Sequence, residues 1–108
     1  MSVAEATRDN FRDLVAEGTV LVDVWGPQCK ECLVLMPEVE RIAGELELAL
    51  VKLEAPKARR ICIELKVMGM PTLLLLKNGQ EVSRVGGQAL TGERVREWLD
   101  SELSPTPG

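Results

Sequence analysis

The sequence contains no histidine and no tyrosine, and its only aromatic residues are two tryptophans and one phenylalanine. Without histidine, the chain has no imidazole to act as a general acid or base, to activate a serine or cysteine, or to complete a histidine-rich metal site. Any chemistry must therefore come from carboxylates, lysines or the three cysteines.

Long apolar runs and an excess of basic residues are also missing. Apolar runs such as Leu73 to Leu76 fall far short of the roughly 18 residues that a membrane helix needs. The N-terminus lacks the basic start and apolar segment of a secretory signal, so we expect a cytoplasmic protein without a membrane partner. With 13 basic against 17 acidic residues and a net charge of −4, the chain also lacks the basic face of a nucleic-acid binder.

The composition suits one folded domain. The chain has 108 residues, of which 45% are hydrophobic and 28% charged, and this length supports one core rather than two. We therefore expect a single domain over residues 1–108, of which residues 104–108 form a flexible tail.

Hydrophobic periodicity predicts strands that alternate with helices. Short apolar or β-branched runs predict the strands, and apolar residues at i, i+3 and i+4 predict the helices. The Asn78-Gly79 pair is a hairpin signal, which makes one strand pair antiparallel. The expected order is β-α-β-α-β-α-β-β-α, an α/β fold with a central mixed sheet and helices on both faces. The predicted strands are 3–6, 20–24, 48–53, 72–76 and 81–85, and the helices begin near Thr7, Cys29, Arg59 and Thr91.

One predicted strand carries a residue that does not suit its surroundings. The run from Val20 to Val24 is almost continuously apolar, as in a strand covered on both faces, yet it contains Asp23. A carboxylate buried there without a partner is costly, and burial raises its pKa. Because such an acid can act as a base near neutral pH, we treat Asp23 as a candidate functional residue.

The motif that carries chemistry is a Cys-x-x-Cys sequence, Cys29-Lys30-Glu31-Cys32, at a predicted strand-to-helix junction. At the start of a helix, residues i and i+3 share a face, so the two sulfurs can close a disulfide with little movement. Unpaired N–H groups and the positive end of the helix dipole favour an anion at the first cysteine, which predicts a lowered thiol pKa there. The second cysteine lies one turn deeper, an asymmetry that suits thiol–disulfide exchange.

With its surroundings, this motif resembles the thioredoxin family over nearly the whole chain. The resemblance rests on landmarks at the family's spacing: Val22-Asp23-Val24-Trp25, the Cys-x-x-Cys pair, Pro37, Met70-Pro71-Thr72, Lys77-Asn78-Gly79 and Val85-Gly86. It implies a thioredoxin fold and a redox-active dithiol that reduces protein disulfides, in electron transport and cell redox homeostasis. It implies no bound cofactor.

The resemblance also implies a role for each site residue. Cys29 is expected to attack the substrate disulfide and Cys32 to resolve the mixed disulfide, with Asp23 as the acceptor of the Cys32 proton. Lys52 is expected to be the charge partner of Asp23, and a solvent-facing strand residue is the alternative interpretation. The substrate-binding set is expected to comprise Trp25, which supports the active-site loop, Gly69, Met70, a cis Pro71, and Gly86.

The implied partners are oxidised protein substrates and a recycling enzyme of the thioredoxin-reductase type, and we expect a monomer. The family carries Trp-Cys-Gly-Pro-Cys, whereas here Gln28 precedes the first cysteine and Lys30-Glu31 separates the pair. The intervening dipeptide tunes the redox potential in this family, and the tryptophan supplies apolar contact surface. These departures favour a dedicated set of partners or a different reductase.

Two other interpretations of the cysteines stay open. The scaffold can serve as a binding module for a dedicated partner, with its thiols incidental. A zinc or iron–sulfur site at the Cys-x-x-Cys pair needs further ligands, and only Cys62 remains, without any histidine. We therefore expect no metal. Cys62 itself is interpreted as a small buried hydrophobe, and a regulatory thiol beside the groove is the alternative.

Overall fold

The structure, a computed structural model, describes residues 3–104. Within them, no helix is long and apolar enough to cross a membrane. Of the predicted tail, only Ser104 lies inside the described residues, and it is exposed. The elements follow the predicted order: strands β1 (Val3–Ala6), β2 (Thr19–Trp25), β3 (Ala49–Glu54), β4 (Thr72–Lys77) and β5 (Gln80–Gly86), helices α1 (Phe11–Leu14), α2 (Lys30–Glu45), α3 (Arg59–Glu64) and α4 (Gly92–Leu103), and a 3-10 turn at Ala55–Lys57.

The five strands form one mixed sheet in the order β1-β3-β2-β4-β5. Strands β1, β3 and β2 are parallel, whereas β4 is antiparallel to both of its neighbours, β2 and β5. Asn78 and Gly79 connect β4 to β5 with φ values of 51° and 83°, the left-handed conformation that such a two-residue hairpin requires. The mixed α/β sheet predicted from the sequence is confirmed.

Alternation along β2 divides the core between the two faces of the sheet. Val20, Val22 and Val24 point to the face that α1 and α3 cover. Leu21 points to the opposite face, which α2 and α4 cover. Asp23 is two residues further along the strand and therefore points the same way as Leu21. The sequence of β2 thus places one carboxylate beneath α2 in an otherwise apolar layer.

Helix α2 is held on the sheet by an apolar stripe. Strand β2 ends at Trp25 and α2 begins at Lys30, so the connecting loop lies at the carboxyl end of a central strand, where α/β sheets place their sites. The helix continues through Pro37, which is exposed. Its buried residues recur at helical spacing: Cys32, Leu35, Val39, Ile42 and Ala43.

The first helix is shorter than its apolar pattern predicts. The spacing predicts a helix capped by Thr7, but α1 is a single turn with Asn10 at its N-cap. Thr7 Oγ1 instead accepts hydrogen bonds from the backbone N–H groups of Asp9 and Asn10, both at 3.2 Å. Phe11 and Val15 are buried all the same, because one turn brings both side chains onto the sheet.

Candidate active site

A disulfide joins the two cysteines of the motif at the start of α2. Cys29 is the N-cap residue of the helix, and its Cα lies 5.2 Å from that of Cys32, a typical span for a disulfide. The Cys29 Sγ accepts a hydrogen bond from the Cys32 backbone N–H at 3.1 Å. After reduction of the disulfide, this N–H and the helix N-terminus stabilise negative charge on the Cys29 sulfur.

The two cysteines differ in exposure. Cys32 is 2% exposed, whereas Cys29 is only partly buried and stands between the exposed residues Gln28 and Lys30. A substrate disulfide can therefore approach Cys29 but not Cys32. This is the asymmetry that exchange between an attacking and a resolving cysteine requires.

The dipeptide between the cysteines brings one charge close to the disulfide. The Glu31 Oε2 lies 4.0 Å from the Cys29 Sγ, and both Lys30 and Glu31 are exposed. A carboxylate at this distance disfavours a thiolate on Cys29 after reduction. Glu31 thus opposes the stabilisation that the helix N-terminus provides.

Asp23 is buried beneath α2. It is 2% exposed, and its neighbours across the sheet are Lys52 on β3 and Leu73 on β4. The pKa of Asp23 is raised to about 7. Burial is the largest cause, the positive charge of Lys52 opposes it, and the negative charge of Glu40 adds to it. The carboxyl group therefore titrates in the range that suits a general base at neutral pH.

Lys52 acts on Asp23 without a direct ion pair. Among the described residues, the Lys52 ammonium forms its salt bridge with Glu40 of α2, at 3.2 Å between Nζ and Oε2. The Nζ also lies 3.7 Å from the Sδ of Met36. The charge interaction between Lys52 and Asp23 operates from one strand to the next, while the hydrogen bond of the ammonium goes to the helix above.

Sequence reasoning did not single out Met36 or Glu40. Cys32, Met36 and Glu40 follow one another at intervals of four residues in α2, so they share one stripe of the helix. The spacing alone would have revealed this stripe. That Lys52 of β3 lies along it becomes visible only when α2 is placed on the sheet.

The loop around Pro71 lies against the loop of residues 26–29 that connects β2 to α2, which we call the active-site loop. The Met70–Pro71 peptide bond is cis, and the neighbouring Gly69 is exposed. The Met70 thioether packs on Gly26, where an added Cβ would stand 3.1 Å from the Met70 sulfur. The Gly26 carbonyl accepts a hydrogen bond from the Cys29 backbone N–H at 3.0 Å. These contacts hold Met70 against the loop that leads from β2 to Cys29.

Trp25 is the last residue of β2 and immediately precedes the active-site loop. It pairs with Glu54 of β3 and is partly buried. Within residues 3–104, its buried indole Nε1–H has no hydrogen-bond partner. Since an unpaired buried donor is costly, packing rather than hydrogen bonding holds the buried part of this side chain.

Gly86 has no room for a side chain. It pairs with Thr72 across β4 and β5, and an added Cβ would stand 2.9 Å from the Pro71 carbonyl oxygen and 3.1 Å from the Thr72 Oγ1. The same Pro71 carbonyl accepts a hydrogen bond from the Gly87 N–H at 3.0 Å. Gly86 therefore allows β5 to approach the Pro71 loop closely.

Replacement of Gly86 by alanine is expected to lower the free energy of unfolding by roughly 1–3 kcal/mol, the usual cost of forcing an extra atom into packed structure. Gly69→Ala is the matched control, because an added Cβ there meets nothing within 4 Å. Urea unfolding of both variants checks the prediction. Equal losses of stability in the two variants would contradict the clash at Gly86.

Cys62 lies apart from the disulfide. It is on α3, 8% exposed, and belongs to the apolar layer on the other face of the sheet. Burial raises the pKa of its thiol. With Met70, it also borders a surface cavity of about 470 Å³. Across the described part of the chain, no three Cys, Asp or Glu side chains are grouped to hold a metal ion.

The chain is similar to known proteins in both sequence and fold. The family described as "Thioredoxin" matches residues 2–101. The chain is 38% identical over 96 residues to the thioredoxin of Acetoanaerobium sticklandii, covering 84% of this chain and 90% of that protein. It is 39% identical over 97 residues to the thioredoxin of Peptoclostridium acidaminophilum, covering 86% and 88%. A mutant thioredoxin from Halobacterium salinarum NRC-1 shares the fold, with a TM-score of 0.87 at 23% identity over 98% of this chain and 95% of that one.

Proposed function

Because the chain belongs to the thioredoxin family and is a thiol–disulfide oxidoreductase that reduces protein disulfides, we propose that Cys29 is its nucleophile and Cys32 its resolving cysteine. One observation carries this assignment: the pair stands at the N-terminus of α2 with Cys29 accessible and Cys32 buried. The donor N–H and the helix dipole at this position favour the Cys29 thiolate.

The reaction transfers an electron pair from the dithiol to the substrate disulfide. The Cys29 thiolate attacks one substrate sulfur, and the other substrate sulfur leaves as a thiolate. The Asp23 carboxylate then takes the proton of the Cys32 thiol. The resulting Cys32 thiolate attacks the Cys29 sulfur, which closes the Cys29–Cys32 disulfide and releases the second substrate thiolate.

Asp23 is proposed as the proton acceptor because of its position and its surroundings. It points to the sheet face beneath α2, the helix that carries Cys32. Its raised pKa means that the carboxylate binds a proton readily near neutral pH. Asp23 and Cys32 are each 2% exposed, so both groups are shielded from bulk solvent.

We assign substrate binding to the loops that flank Cys29, with an extended segment of an oxidised protein as the ligand. Gly69 and Gly86 are exposed and carry no side chain, so a substrate backbone can approach them closely. Met70 is partly buried and contributes apolar surface, and the buried Pro71 is assigned to the same set through the cis peptide bond that joins it to Met70. Trp25, the last residue of β2, is assigned to support the active-site loop.

We further propose that the chain acts as one monomeric domain over residues 1–108, in the cytoplasm, with a reductase of the thioredoxin-reductase type. A dithiol that donates electrons must be kept reduced, and the cytoplasm supplies the reducing pool for this. The relatives named thioredoxin support the reduction of protein disulfides, on which this proposal rests. Since Gln28 is exposed and stands where the family has tryptophan, the reductase is expected to meet a more polar surface here.

The direction of electron flow is tested by the reduction potential of the Cys29–Cys32 pair. Equilibration with dithiothreitol buffers, in a Cys62→Ala background that removes the third thiol, is expected to yield a value near that of thioredoxin, about −270 mV. A value near that of a strong oxidant, about −120 mV, would mean that the protein forms disulfides instead of reducing them.

A further inference from the structure

Lys52 has two carboxylates as neighbours, and they differ in exposure. Asp23 is its register partner on β2 and is buried. Glu40 on α2 forms the ion pair with its ammonium at 3.2 Å, and the Glu40 side chain is 40% exposed against 16% for Lys52. The three charged groups therefore form a series from the core to the surface, in which the cation is paired with the outer carboxylate.

We propose that Glu40 is a positioning residue for the resolving step: by holding the Lys52 ammonium in an ion pair, it keeps that cation from pairing directly with Asp23. The inference rests on the proposed role of Asp23 as proton acceptor. An ammonium in direct contact with Asp23 would stabilise its carboxylate and make it a weaker base. With Lys52 held by Glu40, Asp23 stays basic enough to take the proton of a thiol.

The groups that face Asp23 come from the elements packed around it. Strand β3 contributes Lys52, and α2 contributes Glu40, which lies on the same stripe of the helix as Cys32. Strand β4 contributes the apolar Leu73. Among residues 3–104, the charges that act on the pKa of Asp23 are one cation and one anion, and they act in opposite directions.

The packing of α2 supports the pairing of Lys52 with Glu40. Met36 and Glu40 are one helical turn apart on the same stripe of α2. The Lys52 Nζ contacts the Sδ of Met36 at 3.7 Å and the Oε2 of Glu40 at 3.2 Å. Two consecutive turns of the helix thus hold the ammonium on the side of α2.

Substitution of Glu40 and of Lys52 is expected to shift the pH dependence of resolution in opposite directions. Glu40→Gln removes a negative charge and frees Lys52 to pair with Asp23. The pH profile of the resolution rate is therefore expected to move to lower pH by about one unit. Its plateau rate also falls, because a weaker base accepts the proton less readily. Lys52→Met removes the cation, so the profile moves to higher pH. A merely structural defect would not produce shifts of opposite sign.

Ellman's reagent reacts with the reduced protein in two phases: Cys29 releases one thionitrobenzoate as it forms the mixed disulfide, and Cys32 releases a second as it closes the Cys29–Cys32 disulfide. Stopped-flow absorbance follows the second phase, which is the resolving step, across the neutral pH range. Carbon-13 NMR of the Asp23 carboxyl group reports its titration independently of the kinetics. Glu40→Asp keeps the charge and is expected to restore part of the original profile.

The matched control is Glu38→Gln. Glu38 lies two residues before Glu40 on the same helix and has its own ion pair, with Arg41 at 3.0 Å, so its replacement is expected to leave the profile unchanged. In a Lys52→Met background, the shift caused by Glu40→Gln should shrink, because only the direct effect of its charge remains. An equal shift with and without Lys52, or the same shift in Glu38→Gln, overturns the inference.

The behaviour of Asp23→Asn separates the inference from the proposal on which it rests. If that variant resolves the mixed disulfide with the original pH profile, Asp23 is not the proton acceptor, and the role of Glu40 fails with it. Two results together would show that only the role of Glu40 is wrong. These are a loss of the pH dependence of resolution in Asp23→Asn, and an unchanged pH profile and an unchanged NMR titration of Asp23 in Glu40→Gln.

Discussion

Reduction of insulin disulfides is expected to fall to the background rate in the Cys29→Ser variant. A serine oxygen cannot form the mixed disulfide, and the remaining Cys32 is 2% exposed, out of reach of a protein disulfide. Cys32→Ser is expected to behave differently. Its Cys29 still attacks, but no neighbouring thiol resolves the product, so the protein accumulates as a mixed disulfide with its substrate. Turbidity assays and mass spectrometry under non-reducing conditions distinguish the two results.

Cys62→Ala is the matched control for these variants. Cys62 is the third cysteine of the chain and lies in the apolar layer on the other face of the sheet, so its replacement is expected to leave turnover unchanged. Full activity of Cys29→Ser would refute the assignment of the nucleophile. Trapping by Cys29→Ser instead of Cys32→Ser would mean that the two roles are reversed. A binding module with incidental thiols would retain partner binding when both are replaced.

Asp23→Asn is expected to stabilise the protein above neutral pH. Burial raises the pKa of Asp23 from its ordinary value of 3.8 to about 7 in the folded state, so the folded protein holds the proton more tightly than the unfolded chain. Folding stability therefore falls as the pH rises from about 3.8 towards about 7. This difference in pKa corresponds to a loss of roughly 4 kcal/mol in the free energy of unfolding as Asp23 ionises. Asparagine does not ionise, so the variant does not suffer this loss.

Urea unfolding at acid and at mildly alkaline pH checks this expectation. The stability gained by Asp23→Asn should be small below the unfolded pKa and reach several kcal/mol above the folded pKa. Glu38→Gln, which removes an exposed carboxylate of α2, should leave this part of the stability curve unchanged. A gain that is the same at both pH values would show that the effect comes from packing rather than from ionisation of Asp23.

Local sequence rules account for much of the site. The Cys-x-x-Cys pair can be placed at a helix N-terminus because capping and i, i+3 proximity depend only on neighbouring residues. The burial of Asp23 follows from the apolar residues on either side of it in β2. The hairpin at Asn78-Gly79 follows from the backbone conformation that these two residues tolerate.

Other features could not be predicted because they depend on contacts distant in sequence. The spacing around Phe11 predicts a longer first helix, yet packing on the sheet needs only one turn. The lack of room at Gly86 arises from its pairing with Thr72 and the proximity of Pro71. The local pattern of polar and apolar residues predicts neither of these two contacts of Gly86.

The sequence by itself determined the order of the elements, the apolar face of each one and the spacing of the two cysteines, because strand and helix periodicity and capping are local properties. Only the tertiary structure decided the partner of Lys52. Glu40 lies 12 residues away from it, and its carboxylate meets the ammonium because α2 packs across β3 at that point. Asp23 is left with a cation near it but not bound to it, and this arrangement follows from the packing of the helix on the sheet.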